Sequence, residues 1–339
     1  MRTLITGGAG FIGCNLTARL IRDGHEVIVF DNLSRPGTPR NIEWLRTWGE
    51  FALIRDDITD AGALDRVFRD HSIDVVLHLA GQVAVTSSVT DPRDDFNINA
   101  LGTFNVLEAV RTSGQDSILL YSSTNKVYGG MEKIRIVRQQ GRYVYQDYQQ
   151  GIPENAPLDF HSPYGCSKGA GDQYVRDYAR IYNMRTVVFR QSCIYGPHQM
   201  GMEDQGWLAW FAVAVLTGKP ITIYGDGGQV RDVLFVEDLI DAYLAAIDRI
   251  DDVAGQVFNI GGGPEYSLAV WSEFGPMLER LFMREIPVTY EDWRPGDQKV
   301  FMSNIDKARR QLEWSPKVSP EVGIPIMVSW IRENQSHFL

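Results

Sequence analysis

Tyr164 and Lys168 stand four residues apart in the run Tyr164-Gly165-Cys166-Ser167-Lys168, a spacing that puts both on one face of a helix. An ordinary phenol has a pKa of about 10, so using one as a base near neutrality means stabilising its phenolate by about 4 kcal/mol. A neighbouring ammonium, together with further positive charge at the site, can do this. Ser122-Ser123-Thr124 follows the apolar run Ser117 to Tyr121, and a hydroxyl there, Thr124 first among them, can hydrogen-bond the same substrate oxygen. A Tyr and Lys at this spacing occur on many ordinary helices. Their chemical meaning comes from what accompanies them.

That companion is a glycine run, Gly7-Gly8-Ala9-Gly10-Phe11-Ile12-Gly13, lying between the first strand and the first helix. Glycine at such a turn lets the main chain approach a pyrophosphate, and the helix start supplies the positive end of a dipole. Asp31 ends the second strand 24 residues beyond Gly7, near the spacing of a ribose-binding acid. A carboxylate there accepts hydrogen bonds from the 2′-hydroxyl of NAD and repels the 2′-phosphate of NADP, so NAD is the expected cofactor. Asp57-Ile58 and Leu79-Ala80-Gly81 follow the third and fourth strands, where adenine and ribose lie on the carboxyl edge of such a sheet. The bland alternative is a glycine-rich turn with Asp31 as a solvated cap.

These residues must be positioned by elements, and the chain from 2 to about 190 supplies them. Short β-rich apolar runs at Thr3 to Ile5, Glu26 to Phe30, Phe51 to Ile54, Val75 to His78, Ser117 to Tyr121 and Thr186 to Arg190 read as strands. Between them Ile12 to Asp23, Ala61 to Arg69 and Asn99 to Thr112 carry apolar residues at helical spacing. The pattern predicts an α/β fold, a doubly wound parallel Rossmann sheet with a smaller C-terminal substrate-binding domain. The NAD-binding domain is expected over 1–190, with return segments near 231–262, and the substrate domain over 191–339. Residues 130 to 160 show no clear period and are expected to form a lid-like irregular loop.

Composition agrees with a folded chain and narrows its partners. Of 339 residues, 44% are hydrophobic and 11% aromatic, which excludes disorder as the main state. With 33 basic and 43 acidic residues the net charge is −10, so no global basic field attracts nucleic acid or anionic lipid. Any anionic ligand must be held locally. Cys14, Cys166 and Cys193 form no C-x-x-C pair and are odd in number, which fits a reducing cytoplasm. The longest apolar stretch, Trp207 to Leu216, is ten residues, too short for a bilayer. At the N-terminus, Arg2 to Thr6 runs straight into the glycines and leaves no room for a signal peptide. The histidines, His25, His71, His78, His161, His198 and His337, show no metal-ligand spacing, and no metal is expected. His161, three residues before Tyr164, can reach a sugar or be a plain loop residue; Gln82 to Ser88 and Gln205 to Trp210 can line ligand pockets or be ordinary core.

Taken together, these strings resemble the extended short-chain dehydrogenase/reductases, specifically the NAD-dependent nucleotide-sugar epimerases and dehydratases. The similarity spans nearly the whole chain and includes Gly7 to Gly13, Asp31-Asn32, Asp57-Ile58, His78 to Gly81, Asn99 with Gly102-Thr103, Tyr121 to Gly129, Tyr164 with Lys168, Tyr195-Gly196-Pro197 and Arg231-Asp232. The resemblance implies that Tyr164 is the base, that Lys168 binds the nicotinamide ribose and tunes Tyr164, and that Thr124 supports the substrate hydroxyl. It implies further cofactor contacts from Asn32 and Asn99, and substrate contacts from Asn125, Gln82 and Cys193, the last standing where many relatives have Asn. Arg231 and Arg294 with Asp297 match positions that contact the pyrophosphate and nucleoside.

Dehydratases of the family usually follow their threonine with an Asp-Glu pair that eliminates water, whereas this chain has Asn125-Lys126. Reversible oxidation at one carbon is the chemistry that remains. The strings 122–129, 159–168 and 204–207 look most like the family's CDP-hexose 2-epimerases, which implies transient oxidation of carbon 2 to a keto sugar and return of the hydride to its other face. A UDP-hexose 4-epimerase is the nearest alternative, and a non-catalytic NAD-sensing protein is the alternative of another class. The family commonly pairs as a homodimer through helices like Asn99 to Thr112 and Ser167 to Tyr182.

Overall fold

The computed structural model describes residues 1–203, 205–293 and 298–339. In chain order the elements begin with β1 (Arg2–Thr6), α1 (Phe11–Arg22), β2 (Glu26–Phe30), α2 (Thr38–Leu45), β3 (Ala52–Ile54), α3 (Ala61–Asp70), β4 (Val75–His78), α4 (Val85–Thr90), α5 (Pro92–Phe96), α6 (Gly102–Thr112) and β5 (Ile118–Thr124). They continue with β6 (Ile136–Gln139), β7 (Arg142–Tyr145), α7 (Ser162–Tyr182), β8 (Thr186–Gln191), β9 (Cys193–Tyr195), α8 (Trp207–Thr217), β10 (Thr222–Tyr224), β11 (Val230–Phe235), α9 (Val236–Asp248), α10 (Ile250–Val253) and β12 (Val257–Ile260). The chain closes with β13 (Ser267–Ala269), α11 (Phe274–Phe282), β14 (Thr289–Glu291), β15 (Val300–Phe301), α12 (Asp306–Gln311) and α13 (Pro320–Glu333).

The strand runs are apolar without alternation because helices cover both faces of the sheet they build. That sheet has seven strands in the order β12-β8-β5-β4-β1-β2-β3. All four ladders joining its first five strands are parallel, with Thr3 opposite Val27 on one side of β1 and Val75 on the other. The order reverses at β1, and ligands of doubly wound sheets bind outside the carboxyl ends of the strands at such a reversal. Leu4, Phe30, Val76, Leu119 and Val188 from the strands and Leu64, Val67, Val106, Leu107, Val110 and Val175 from the helices form one buried cluster.

Two compact units divide the chain. The first is Met1–Val127, Ser162–Arg190 and Ile240–Phe258; the second is Tyr128–His161, Gln191–Leu239 and Asn259–Leu339. Within the second, β13, β11 and β15 form a sheet to which β9 adds by pairing with β11, and β10 pairs with β14. Its core gathers Phe211, Val213 and Val215 of α8 with Phe235, Phe274, Leu278, Ile324, Met327 and Ile331. The ten-residue apolar stretch of the sequence is thus a core helix, apolar all round because its surroundings are.

The structure corrects three details of the sequence reading. The segment expected to be irregular over 130–160 contains an antiparallel hairpin, β6 with β7, in register Ile136 to Tyr145 and Gln139 to Arg142. The hairpin is held within the second unit by backbone and side chains: Tyr143 N donates to Gly228 O at 3.0 Å, Tyr145 Oη to Val300 O at 2.7 Å, and Arg142 pairs with Glu273 at 3.2 Å. Arg142, Tyr143 and Tyr145, among the residues that obscured its period, make those contacts. The helix expected from Asn99 starts instead with a π-helical turn, Asn97–Leu101, before α6. The fifth strand runs three residues further than expected, to Thr124, so the hydroxyl cluster is part of the strand itself.

Candidate active site

The glycine turn is set by what cannot fit there. Gly7 N donates to Phe30 O at 2.8 Å and Gly10 N to Gly7 O at 3.1 Å, folding the turn against β2. A β-carbon on Gly13 would stand 2.2 Å from Gly7 O, so no larger residue leaves this turn in place. Helix α1 then starts after Gly10 with no side-chain cap and no acid in its first turn. Its leading N–H groups and its dipole therefore suit an anion. Phe11 and Ile12, half-buried, open the helix.

Around this turn stand the other residues singled out for a dinucleotide. Asp31 is buried at the tip of β2 and accepts from Ala9 N at 3.0 Å and Leu33 N at 2.8 Å. Burial raises its carboxyl, against the pull of those two donors and the charge of Arg35. Asn32 Nδ2 donates to Asp57 Oδ2 at 2.6 Å, and Asp57 also accepts from the backbone and hydroxyl of Thr59, which hold it below the usual carboxylate range. Ile58 is buried beside it. Leu79 N donates to Thr6 O at 3.1 Å and Ala80 N to Thr6 Oγ1 at 3.3 Å, fixing the end of β4 next to the end of β1. An uncapped helix start, a glycine turn and a carboxylate at the second strand's end are what a pyrophosphate and a ribose diol require, so the cradle fits NAD.

Helix α7 and strand β5 bring the reacting groups together. Tyr164, Thr124 and Lys168 are all buried, at 8%, 8% and 5% exposure. Burial pushes the Tyr164 phenol up to about 12, a hydrogen bond with Thr124 works against that rise, the charge of Asp95 adds to it and that of Arg35 opposes it. The same burial lowers the Lys168 ammonium to about 7, with Asp95 and Asp172 raising it. Lys168 Nζ lies 4.4 Å from the ring centre of Tyr121, an arrangement favourable to the charged form. Arg35 is a cation whose field reaches the phenol. Thr124 Oγ1 accepts from Lys126 N at 3.3 Å and lies 3.4 Å from Asn125 Oδ1. Asn99 bridges to Gln82, accepting from its N–H and donating to its carbonyl, both at 3.0 Å. Gln82 Nε2 in turn donates to Ala84 O at 2.7 Å.

The remaining sequence candidates lie in the second unit. Arg231 is buried on β11 with Nη1 donating to Val230 O at 2.9 Å. Cys193, half-buried on β9, pairs in register with Val233. His161 is half-exposed with Nε2 at 3.5 Å from Asp159 Oδ2. Arg294 and Asp297, and Asp204 of the Asp204-Gln205-Gly206-Trp207 string, lie outside the described residues. Among the described residues no three His, Cys, Asp or Glu side chains gather as a metal-binding group, and no helix is long and apolar enough to cross a membrane. Sequence reasoning passed over Arg35, for which a lone arginine in a loop gives no signal. It also missed the buried Asp172–Arg190 pair, 2.8 and 2.9 Å, whose carboxylate additionally accepts from Ser123 Oγ at 2.8 Å. Asp172 falls four residues after Lys168 on the same helix face, which was a readable sign.

Comparison with known proteins points the same way as this geometry. Residues 3–261 match the NAD dependent epimerase/dehydratase family. The chain is 45% identical over 335 residues to a CDP-paratose 2-epimerase of Salmonella typhi, covering 97% of this chain and 99% of that protein. The solved structure of a UDP-glucose 4-epimerase from Thermotoga maritima with UDP-glucose matches with a TM-score of 0.85 at 31% identity, covering 99% of this chain and 100% of that one. A Thermus thermophilus UDP-glucose 4-epimerase in complex with NAD matches at 0.82 and 31% identity, covering 98% of this chain and all of the other.

Proposed function

The chain belongs to the NAD dependent epimerase/dehydratase family, and we propose that within it the chain inverts carbon 2 of a CDP-linked deoxyhexose of the CDP-paratose type, with Tyr164 as the base. It is an NAD-dependent nucleotide-sugar epimerase. When bound, NAD supplies a reversible hydride acceptor for the sugar carbon. The residues of the chain do the rest. Tyr164 takes the proton of the sugar hydroxyl at its Oη and later returns it, and Thr124, hydrogen-bonded to that phenol, steadies the same sugar oxygen. Lys168 carries the positive charge that favours the deprotonated phenol and holds the nicotinamide ribose.

The observation that carries the reading is the buried Thr124–Tyr164 pair at the carboxyl end of β5, in the same compact unit as the uncapped α1 start. Asn125 and Lys126 follow Thr124, and an amide with an ammonium cannot act as the acid pair of an elimination, so inversion is favoured over dehydration. Gly7, Gly10, Phe11, Ile12, Gly13, Asp31, Asn32, Asp57, Ile58, Leu79, Ala80 and Asn99 are assigned to NAD. Asn125, Gln82, His161, Cys193, Arg231, Arg294 and Asp297 are assigned to the nucleotide sugar, the arginines to its diphosphate, which a guanidinium can grip bidentately.

The reading extends to assembly and setting. Two copies are expected to pair through α6 and α7, whose exposed Phe104, Tyr174, Ile181 and Tyr182 form an apolar face. Three free cysteines fit a reducing cytoplasm. Purified protein given CDP-paratose, UDP-glucose and GDP-mannose tests the substrate: turnover of the CDP sugar with inversion at carbon 2 is expected. Preferred turnover of UDP-glucose at carbon 4 would replace this reading with the 4-epimerase one.

A further inference from the structure

Four ionisable side chains are buried around α7: Asp95 of α5 at 1% exposure, Lys168 at 5%, Asp172 at 0% and Arg190 of β8 at 2%. Asp172 and Arg190 satisfy each other through two hydrogen bonds at 2.8 and 2.9 Å. Their mutual pairing leaves one buried anion, Asp95, and one buried cation, Lys168, to be balanced. A buried charge costs several kcal/mol unless another charge and good hydrogen bonds offset it.

The hydrogen bonds of Asp95 lead directly to the lysine. Its Oδ2 accepts from Ser167 Oγ at 2.5 Å, and Ser167 immediately precedes Lys168. Its Oδ1 accepts from Asn99 Nδ2 at 3.0 Å. Asn99 Oδ1 lies at Gly81, where a β-carbon would stand 2.9 Å from that oxygen and 3.8 Å from Lys168 Nζ. Carboxylate, serine, asparagine and ammonium therefore share one buried corner of the first unit.

We propose that Asp95 is a positioning residue for Lys168: through Ser167 and Asn99 it fixes the base of α7, and its carboxylate balances the ammonium and keeps it protonated. The proposal rests on the reading of Lys168 as the cation of the reacting centre. Every other group facing Lys168 leaves this task to Asp95. His78 on β4 is held neutral, its pKa lowered to about 3 by burial and by Lys168 itself. Tyr121 on β5 offers the ammonium its ring face and donates its hydroxyl to Lys168 O at 3.4 Å, and burial pushes its phenol far above the usual range, so it brings no negative charge. Tyr164 on the same helix is likewise a neutral phenol at pH 7. Asp172 raises the lysine but is paired to Arg190, whose charge works against it.

Two measurements on the full chain loaded with NAD test this. In pH–rate profiles with CDP-paratose, Asp95→Asn should move the alkaline limb down by about one pH unit or more, because the ammonium is lost sooner, and Asp95→Glu should restore it. An unchanged alkaline limb in Asp95→Asn overturns the proposal, whatever the acid limb does, since Asp95 also acts on the Tyr164 phenol directly. In thermal melts, Asp95→Asn and Lys168→Met should each destabilise, and the double variant should melt above Asp95→Asn, since it buries no unmatched charge. If Asp95→Asn does not fold, a folded double variant supports the pairing; losses that simply add, or a double variant that also fails to fold, overturn it. Inactivity of the unaltered chain on CDP-paratose would instead count against the proposed function, and the melts would still decide the role of Asp95.

Discussion

The phenol of Tyr164 has to lose a proton in a place that disfavours anions. Burial lifts it to about 12, with Asp95 adding to the rise, while Thr124 and Arg35 pull it back. In the chain alone the phenol is therefore neutral at physiological pH, and the deprotonated form has to be stabilised by further positive charge when the site is loaded. Tyr164→Phe removes the proton carrier and little else. Turnover is expected to fall on the order of a thousandfold, with NAD content and melting temperature close to those of the unaltered chain. Near-normal turnover in that variant would take Tyr164 out of the mechanism.

Asp232 makes a second prediction at this scale, about stability. It is fully buried in the second unit, accepting from Ser192 Oγ and from the N–H groups of Gly263 and Ser303, both at 3.2 Å. Burial raises its carboxyl from 3.8 to about 6. A raised folded pKa means the folded chain holds the proton more tightly, so the stabilisation is complete below the unfolded value and is lost as pH rises through the folded one. Asp232→Asn should therefore gain on the unaltered chain between about pH 4 and about pH 7, by about 3 kcal/mol at most. Urea unfolding at the two pH values measures it, and a pH-independent difference would contradict the raised carboxyl.

At the scale of elements, helix α7 links chemistry to assembly. One end carries Tyr164 and Lys168, inward and buried; further along, Tyr174, Ile181 and Tyr182 face out, Ile181 with 63% of its surface exposed. Phe104 of α6 meets Tyr174 edge-on, with ring centres 5.7 Å apart, so the apolar face continues across both helices. Ile181→Asp together with Phe104→Asp should convert a dimer to a monomer in light scattering while each unit stays folded; a monomeric unaltered chain would contradict pairing through this face.

Elements of this kind differ in how plainly the sequence announces them. Strands β1, β2 and β4 were legible because a short, continuous, β-branched apolar run next to turn residues suits a strand covered on both faces and little else. The glycine turn was legible because backbone sterics admit nothing larger at Gly13. The hairpin β6–β7 was not, since its stability comes from Arg142, Tyr143 and Tyr145 reaching distant partners such as Glu273, Asp226 and Val300. Periodicity cannot register contacts more than 80 residues away in the chain. The same holds at the reacting centre. Tyr164 and Lys168 were read from their spacing, whereas the fields of Arg35 and Asp95 depend on tertiary placement that no local pattern encodes.

For the whole molecule, a net charge of −10 means that a nucleotide sugar, itself anionic, gains nothing from long-range attraction. Its binding free energy must come from local groups on the diphosphate and base, remote from the carbon that reacts. That division suits an epimerisation, where the nucleotide is held while the sugar has to present its other face. The most direct check of the central claim is proton NMR of the product formed from CDP-paratose in deuterated water. Inversion at carbon 2 with no solvent deuterium on that carbon is the expected result, because the hydrogen removed is the one returned. Deuterium at carbon 2 would mean that the proton exchanges through an enol, and inversion at any other carbon would mean that the oxidised position has been misassigned.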